Sequence, residues 1–452
     1  MKPDLLNGSG FRAVLRFSLP MILGAFIQQI YTVTDSLVVG NVVGSDALAA
    51  IGATGTCIFF LLSLNSGLAN ACSVVLAQAY GAGSKRDIAA SLASTLYYTV
   101  LCALVLGVGG GFCVEPLLRL MQTPEDILPQ AVLYLRIYIC CSAGQIVYNN
   151  AAAVLQALGD SKTPLLFLIV CTVLNIALDF LFVLVLRAGV AGAAVATVLS
   201  QTISGVLCLV YAVHRYPFLR LRASDLRPDM RNIGRISRIG IPMGLQSSIL
   251  AIGDMIVAAI INTFGTDTVA AYSAADRIHQ FIILPFLYFA TAFCTFAAQN
   301  IGAGQVERLK KTMRQSACFA AGVALAFGLL IRTLRTPLLM AFLSADDPRL
   351  AQVLQIGGDF LSIVPLMYPF LALIWLYNYM LRGVEEVRIP LISGGIELVS
   401  KIALPLLLGH RFGYIGVWYA FSICWVLGWI PAVLFYRSGK WVTRYGSKRR
   451  TA

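Results

Sequence analysis

The string Gln78-x-x-Gly81-Ala82-Gly83 recurs as Gln299-x-x-Gly302-Ala303-Gly304, about half of the 452-residue chain later. A second string repeats in the same register, since Gly44-Ser-Asp46-Ala-Leu-Ala-Ala50 is answered by Gly265-Thr-Asp267-Thr-Val-Ala-Ala271. The chain is therefore a duplication and is expected to fold as two similar halves. Its composition says in which solvent. Apolar residues make up 58% and charged residues only 12%, where soluble domains carry about 25% charged residues, and the mean hydropathy is +0.80. Half-length repeats inside so hydrophobic a chain are the mark of secondary transporters, whose substrate path lies between two similar halves.

About twenty apolar residues span a bilayer. Twelve stretches qualify, at roughly 15–42, 47–78, 88–112, 130–157, 164–186, 190–213, 237–263, 268–299, 313–334, 352–381, 390–409 and 413–436. The expected fold class is an all-α membrane protein of twelve transmembrane helices. The opening residues have no separate cleavable signal, so the first span is expected to be retained. A net charge of +13 would suit nucleic acid, but the basic residues follow the loops rather than a stripe with exposed aromatics, which argues against that partner. Arg12 and Arg16 precede span 1, Lys85 and Arg86 follow span 2, a run from Arg215 to Arg238 fills the centre, and Arg437 to Arg450 form the tail. The positive-inside bias then predicts both termini in the cytoplasm and an even number of spans. The division drawn on this basis is an N-lobe at 1–214, a cytoplasmic linker at 215–236, a C-lobe at 237–436 and a basic tail at 437–452.

Catalysis has little to work with. All eleven cysteines lie in or at the ends of apolar spans without a Cys-x-x-Cys pair and read as small core residues. His214, His279 and His410 lack metal-ligand spacing, and the absence of a Gly-x-x-x-x-Gly-Lys loop argues against direct use of ATP. The chain is expected to be neither an enzyme nor a holder of a structural metal or cofactor.

Charges inside spans carry the information, because an ionised carboxylate at mid-bilayer costs at least about 2.5–3.5 kcal/mol. Asp35 lies in span 1 on a stripe with Gln28, Tyr31 and Thr32. Asn175 and Asp179 in span 5, and Thr197 and Gln201 in span 6, are i, i+4 pairs, each on one helical face. If the three stripes converge, two carboxylates, an amide and a hydroxyl form a pocket able to hold a proton or to coordinate Na⁺ through oxygen. The bland reading of such residues is interhelical hydrogen bonding. The second half does not copy the pocket: aligning Pro164 with Pro390 sets Asn175 and Asp179 against Lys401 and Pro405. There Glu397 and Lys401 are expected to form an i, i+4 charge pair, while Asp254 in span 7 has no evident partner.

These strings, with Pro20, the segment Leu155-Gln-Ala-Leu-Gly159-Asp-Ser-Lys-Thr-Pro164 and the set Asn175, Asp179 and Thr197, resemble the multidrug and toxic compound extrusion (MATE) transporters, in their DinF- or MepA-like bacterial branch. The resemblance covers essentially the whole chain. It implies two six-helix lobes about a pseudo-twofold axis along the membrane normal, a V-shaped central cavity, and export of organic cations coupled to inward H⁺ or Na⁺. Asp35, Asn175, Asp179 and Thr197 match the family's first-lobe coupling site, and Pro20 matches its helix-bend proline. One departure stands out: the NorM-like branch has an acid earlier in span 7, where this chain has Leu250 or a near neighbour.

The expectation is thus an antiporter, a monomer in the lipid bilayer of the bacterial inner membrane, that exports amphipathic cationic small molecules. Cavity candidates beyond the acids are Gln28, Tyr31, Tyr148, Asn149, Gln201, Gln246, Asp254, Met255, Tyr377 and Asn378. Polar, aromatic and thioether side chains allow loose contact with varied ligands; the bland reading is ordinary span packing. A flippase for a lipid-linked saccharide is the alternative, disfavoured because a pyrophosphate calls for a cationic cavity and the pocket expected here is acidic.

Overall fold

A computed structural model describes residues 5–121, 123–226, 228–343 and 348–443. Asp346, Asp347 and the end of the basic tail from Arg444 lie outside the described residues. Among those described there are fifteen α-helices and no strand: α1 (Gly10–Val42), α2 (Ser45–Gly81), α3 (Lys85–Leu104), α4 (Gly111–Leu120), α5 (Leu128–Cys140), α6 (Ala143–Ala157), α7 (Lys162–Asp179), α8 (Gly189–Arg215), α9 (Met230–Asn262), α10 (Thr266–Gly302), α11 (Val306–Met340), α12 (Leu350–Ile363), α13 (Tyr368–Gly383), α14 (Arg388–Phe412) and α15 (Tyr414–Arg437). Among the described residues eleven spans are long and apolar enough to cross a bilayer, and the pair α5/α6, bent by 49°, brings the number to twelve when taken as one broken span. The helical class and the span count agree with the sequence.

The repeated strings are explained by backbone geometry. Gly44 (φ 120°) and Gly265 (φ 96°) precede α2 and α10, while Gly83 (φ 68°) and Gly304 (φ 75°) follow them. Left-handed backbone is what glycine supplies without strain. The strings therefore frame two helices of equal length, 37 residues each. Their recurrence marks the start and stop of a long span in each copy.

Packing divides the chain at other points than the loops do. One compact unit runs from Leu19 to Leu245; the other joins Leu5–Ser18 to the chain from Gln246 onward. Both boundaries fall within four residues of a proline inside a helix, Pro20 in α1 and Pro242 in α9. α1 stays helical through Pro20. Small residues allow the close approaches. In the first unit a Cβ on Gly67 would meet Gly244 N at 2.4 Å, and in the second a Cβ on Gly10 would meet Thr312 Oγ1 at 2.2 Å. A side chain at either position would push two helices apart.

Candidate functional site

Within the first unit, α1, α7 and α8 bring the expected polar stripes together. Asp35 is 8% exposed, Asp179 1% and Asn175 0%. The two carboxyl groups are immediate neighbours, with Asn175 beside Asp179. Thr197 enters the cluster through Tyr31, whose hydroxyl donates to Thr197 Oγ1 at 3.2 Å. Asp179 closes α7, and the next residues, Phe180–Val185, form a π-helical turn. Such turns interrupt the regular ladder and occur frequently at functional sites.

What distinguishes this cluster is what it lacks. Asp35 Oδ1, Asp179 Oδ1 and both amide atoms of Asn175 are buried without a hydrogen-bond partner among the described residues. Leaving a buried polar atom unsatisfied costs about 1–3 kcal/mol, and more for a charged group. Two facing carboxylates with no donor between them cannot both carry charge comfortably. A shared proton or an oxygen-ligated monovalent cation satisfies the geometry, and the donor set of two carboxylates and one amide carbonyl suits a hard ion.

Beside it lies a small pocket of about 50 Å³, lined by Gln28, Tyr31, Gln145, Tyr148, Asn149, Leu168, Cys171, Thr172 and Gln201. Gln28, Tyr31, Tyr148, Asn149 and Gln201 are thus brought to one place, with Tyr31 common to pocket and acid cluster. Sequence reasoning missed Gln145 and the pair Tyr134 and Tyr138, whose rings lie 6.1 Å apart and which stand in electrostatic reach of Asp35. All three belong to the bent span α5/α6, which carries no acid to draw attention to it.

The candidates of the second half have other engagements. Gln246 donates through Nε2 to Pro390 O at 2.9 Å and accepts from Arg382 Nη2 at 2.7 Å, tying α9, α13 and α14 together. Asn378 donates to Ser393 Oγ at 3.0 Å. Tyr377 packs edge-on to Trp429 and Tyr436, and Met255 is exposed. The Glu397–Lys401 pair expected from spacing is not formed: Lys401 Nζ donates to Asp254 Oδ1 instead. A shared helical face puts Glu397 near Lys401, but α9 approaches closely at Gly253, where a Cβ would meet Leu398 Cδ1 at 2.9 Å. This brings the Asp254 carboxylate to the ammonium.

Comparison with known proteins follows the same outline. The sequence model of the family described as MatE matches twice, over residues 20–181 and 242–407. The chain belongs to the MATE family. It is 31% identical over 441 residues to the probable multidrug resistance protein YpnP of Bacillus subtilis (strain 168), covering 97% of each chain. It is 24% identical to a FAD transporter of Shewanella oneidensis, covering 91% of this chain and 90% of that one. Among solved structures, the outward-facing conformation of a multidrug resistance MATE family transporter superposes with a TM-score of 0.90 at 23% identity over 99% of both chains. MATE proteins are membrane transporters rather than enzymes, and the double match of the family model reflects the duplication seen in the repeated strings.

Proposed function

We propose that this MATE protein is a secondary antiporter that exports amphipathic, cationic small molecules in exchange for inward H⁺ or Na⁺, with residues 1–214 and 237–436 as its two transport lobes. One observation carries the reading: the partnerless oxygens of Asp35 and Asp179, buried next to an equally partnerless Asn175. An ion from outside occupies this site and leaves it toward the cytoplasm, and Thr197 and Tyr31 link its occupancy to the neighbouring polar pocket. One charge moved inward across about 100 mV releases about 2.3 kcal/mol. Exchange of one ion for one monovalent cationic substrate is electroneutral, so the ion's concentration gradient alone drives it. The second carboxylate admits a second ion and with it the membrane potential. The monomer in a bacterial inner membrane, with both termini cytoplasmic, is part of the same proposal.

A second reading concerns cargo. The pocket is rich in carboxamides, from Gln28, Gln145, Asn149 and Gln201, which suit a planar hydrogen-bonding heterocycle, and one relative is named a FAD transporter. Proteoliposomes loaded with either a lipophilic cation or a flavin, under an imposed pH gradient and separately an imposed Na⁺ gradient, decide both the ion and the cargo class. Export of neither cargo under either gradient contradicts the proposal.

A further inference from the structure

Arg136 stands inside an apolar span, eight residues in from the start of α5, or about 12 Å along the helix. It is exposed, and it has no ion pair or hydrogen-bond partner among the described residues. An arginine inside a bilayer span costs at least about 2.5–3.5 kcal/mol at the helix centre and turns toward a partner or a polar interface. Helical side chains tilt toward the helix N-terminus, which carries this one toward the α4–α5 end of the spans. Tyr134 and Tyr138, two residues to either side, are buried on the opposite face of α5. Beside Arg136 runs a groove of about 900 Å³. Missing side chains form its floor. Between α3 and α4 the chain makes a π-helical turn, Val105–Gly110, and the groove is lined there by Gly107 and Gly111. A Cβ on Gly107 would stand 3.3 Å from Cys140 O, and one on Gly111 2.7 Å from Cys140 Sγ. The groove's apolar wall looks outward, with Phe112 82% exposed and Val108 62%.

Three charged residues line the groove, Glu115, Arg119 and Arg136, and two of them are engaged. Arg119 donates through Nε to Glu115 Oε1 at 3.2 Å and through Nη1 to Glu125 Oε1 at 2.7 Å. Arg136 alone is left without a counter-charge. A guanidinium set among hydrocarbon calls for an anion that brings its own apolar body, because a water-soluble anion would have to give up its hydration to reach it. Arginine holds phosphate oxygens through paired N–H···O bonds. We infer that the groove is a binding site for one anionic membrane phospholipid, with the phosphodiester on Arg136 and an acyl chain laid over Gly107 and Gly111. A phosphodiester carries the single negative charge that Arg136 needs, and the two glycines leave the room that the chain fills. The site lies within the first unit on the face of α5 turned away from Tyr134 and Tyr138, and it does not depend on the direction or cargo of transport.

The experiment titrates delipidated protein in detergent with phosphatidylglycerol, phosphatidylethanolamine or glycerol 3-phosphate, counting bound lipid by native mass spectrometry and following thermal unfolding. The wild type should hold about one phosphatidylglycerol per chain in preference to phosphatidylethanolamine, and should gain thermal stability from it as from any ligand of the folded state. Arg136→Gln should weaken that binding at least about tenfold, the loss of a hydrogen-bonded charge, and leave phosphatidylethanolamine binding unchanged. Arg136→Lys should fall between the two. Val108→Trp, which lays an indole into the groove, should lose the lipid with the arginine intact, and it carries the test alone where Arg136→Gln is not recovered. Equal stabilisation of wild type and Arg136→Gln by phosphatidylglycerol overturns the inference, since the effect then belongs to lipid in general. Glycerol 3-phosphate bound as tightly as the lipid overturns it in favour of a soluble anion, and a lipid-free dimer that Arg136→Gln dissociates overturns it in favour of a second copy. The Asp35→Asn/Asp179→Asn variant should bind phosphatidylglycerol as the wild type does, which scores this site separately from the proposed function.

Discussion

The acid cluster of α1, α7 and α8 includes Asn175, and the charge cluster of α9 and α14 includes Lys401 at the matching position of the repeat, yet the two handle buried charge differently. In the first, Asp35 Oδ1 and Asp179 Oδ1 are buried without a hydrogen-bond partner among the described residues. In the second, Lys401 supplies the counter-charge from within. A buried carboxylate needs a cation or a proton wherever it stands. Under the function proposed here, leaving the need unmet in one copy and meeting it in the other confines the exchangeable ion to the first, with Asn175 in one repeat standing where the other has Lys401.

The largest effect expected from breaking this contrast is on transport. Asp179→Asn should reduce gradient-driven efflux at least about 100-fold, equivalent to about 2.7 kcal/mol, with unchanged expression. The Asp254→Asn/Lys401→Met double variant, which removes the second pair as a unit, should retain efflux within about tenfold of the wild type. Equal loss in both variants would erase the distinction between the clusters.

A smaller effect is on stability. Asp254→Asn alone leaves the Lys401 ammonium without its ion-pair partner and should destabilise the protein by about 1–3 kcal/mol, less than for a fully buried pair because Asp254 is largely exposed. Thermal unfolding in detergent should show the double Asp254→Asn/Lys401→Met variant recovering most of that loss. A double variant worse than the single one would mean that the pair contributes more than mutual compensation.

The hydrogen-bonded corners near the starts of α7 and α14 extend the comparison. Asp160 accepts from Thr163 N at 3.1 Å, Thr163 Oγ1 at 2.9 Å and Tyr216 OH at 2.9 Å, so Asp160→Ala should cost about 2 kcal/mol through the donors it strands. The smallest effect is at the preceding residue. Gly159 has φ 82°, whereas its counterpart Glu385 holds a side chain at φ 60°. Gly159→Ala should therefore cost about 1 kcal/mol, again by thermal unfolding. Equal stability of Gly159→Ala and wild type would show that the first corner tolerates a side chain as the second does.

The spans, the duplication and the first cluster were legible because each leaves a local mark. Apolar length reports a span, recurring glycines report where two long helices begin and end, and Asp35, Asn175 and Asp179 stand out as polar residues at helical spacing in apolar stretches. The partner of Lys401 was not legible. An i, i+4 spacing puts Glu397 on the same face, but the helix that comes closest is set by packing at Gly253, far away in sequence. The break between α5 and α6 carries no proline. There Gly144 lies so close to Thr202 that a Cβ would meet its Oγ1 at 2.0 Å, a packing constraint that only the folded chain shows. Through that bent span Tyr134 comes near Asp35 and Gln145 lines the neighbouring pocket, and in a sequence they look like ordinary core residues. Gln246 and Asn378 suggested a cavity by their polarity alone, and nothing in the sequence announced the hydrogen bonds by which they tie helices to one another.

The central claim, that Asp35 and Asp179 hold the exchangeable ion, is tested most directly by measuring what substrate displaces from purified protein. A saturating lipophilic cation added to the wild type in weakly buffered solution, or to protein pre-equilibrated with ²²Na⁺, should release about one H⁺ or one Na⁺ per chain, by the reciprocity of linked binding. The Asp35→Asn/Asp179→Asn variant should release neither. Release of the same size from that variant would place the exchangeable ion elsewhere and contradict the account.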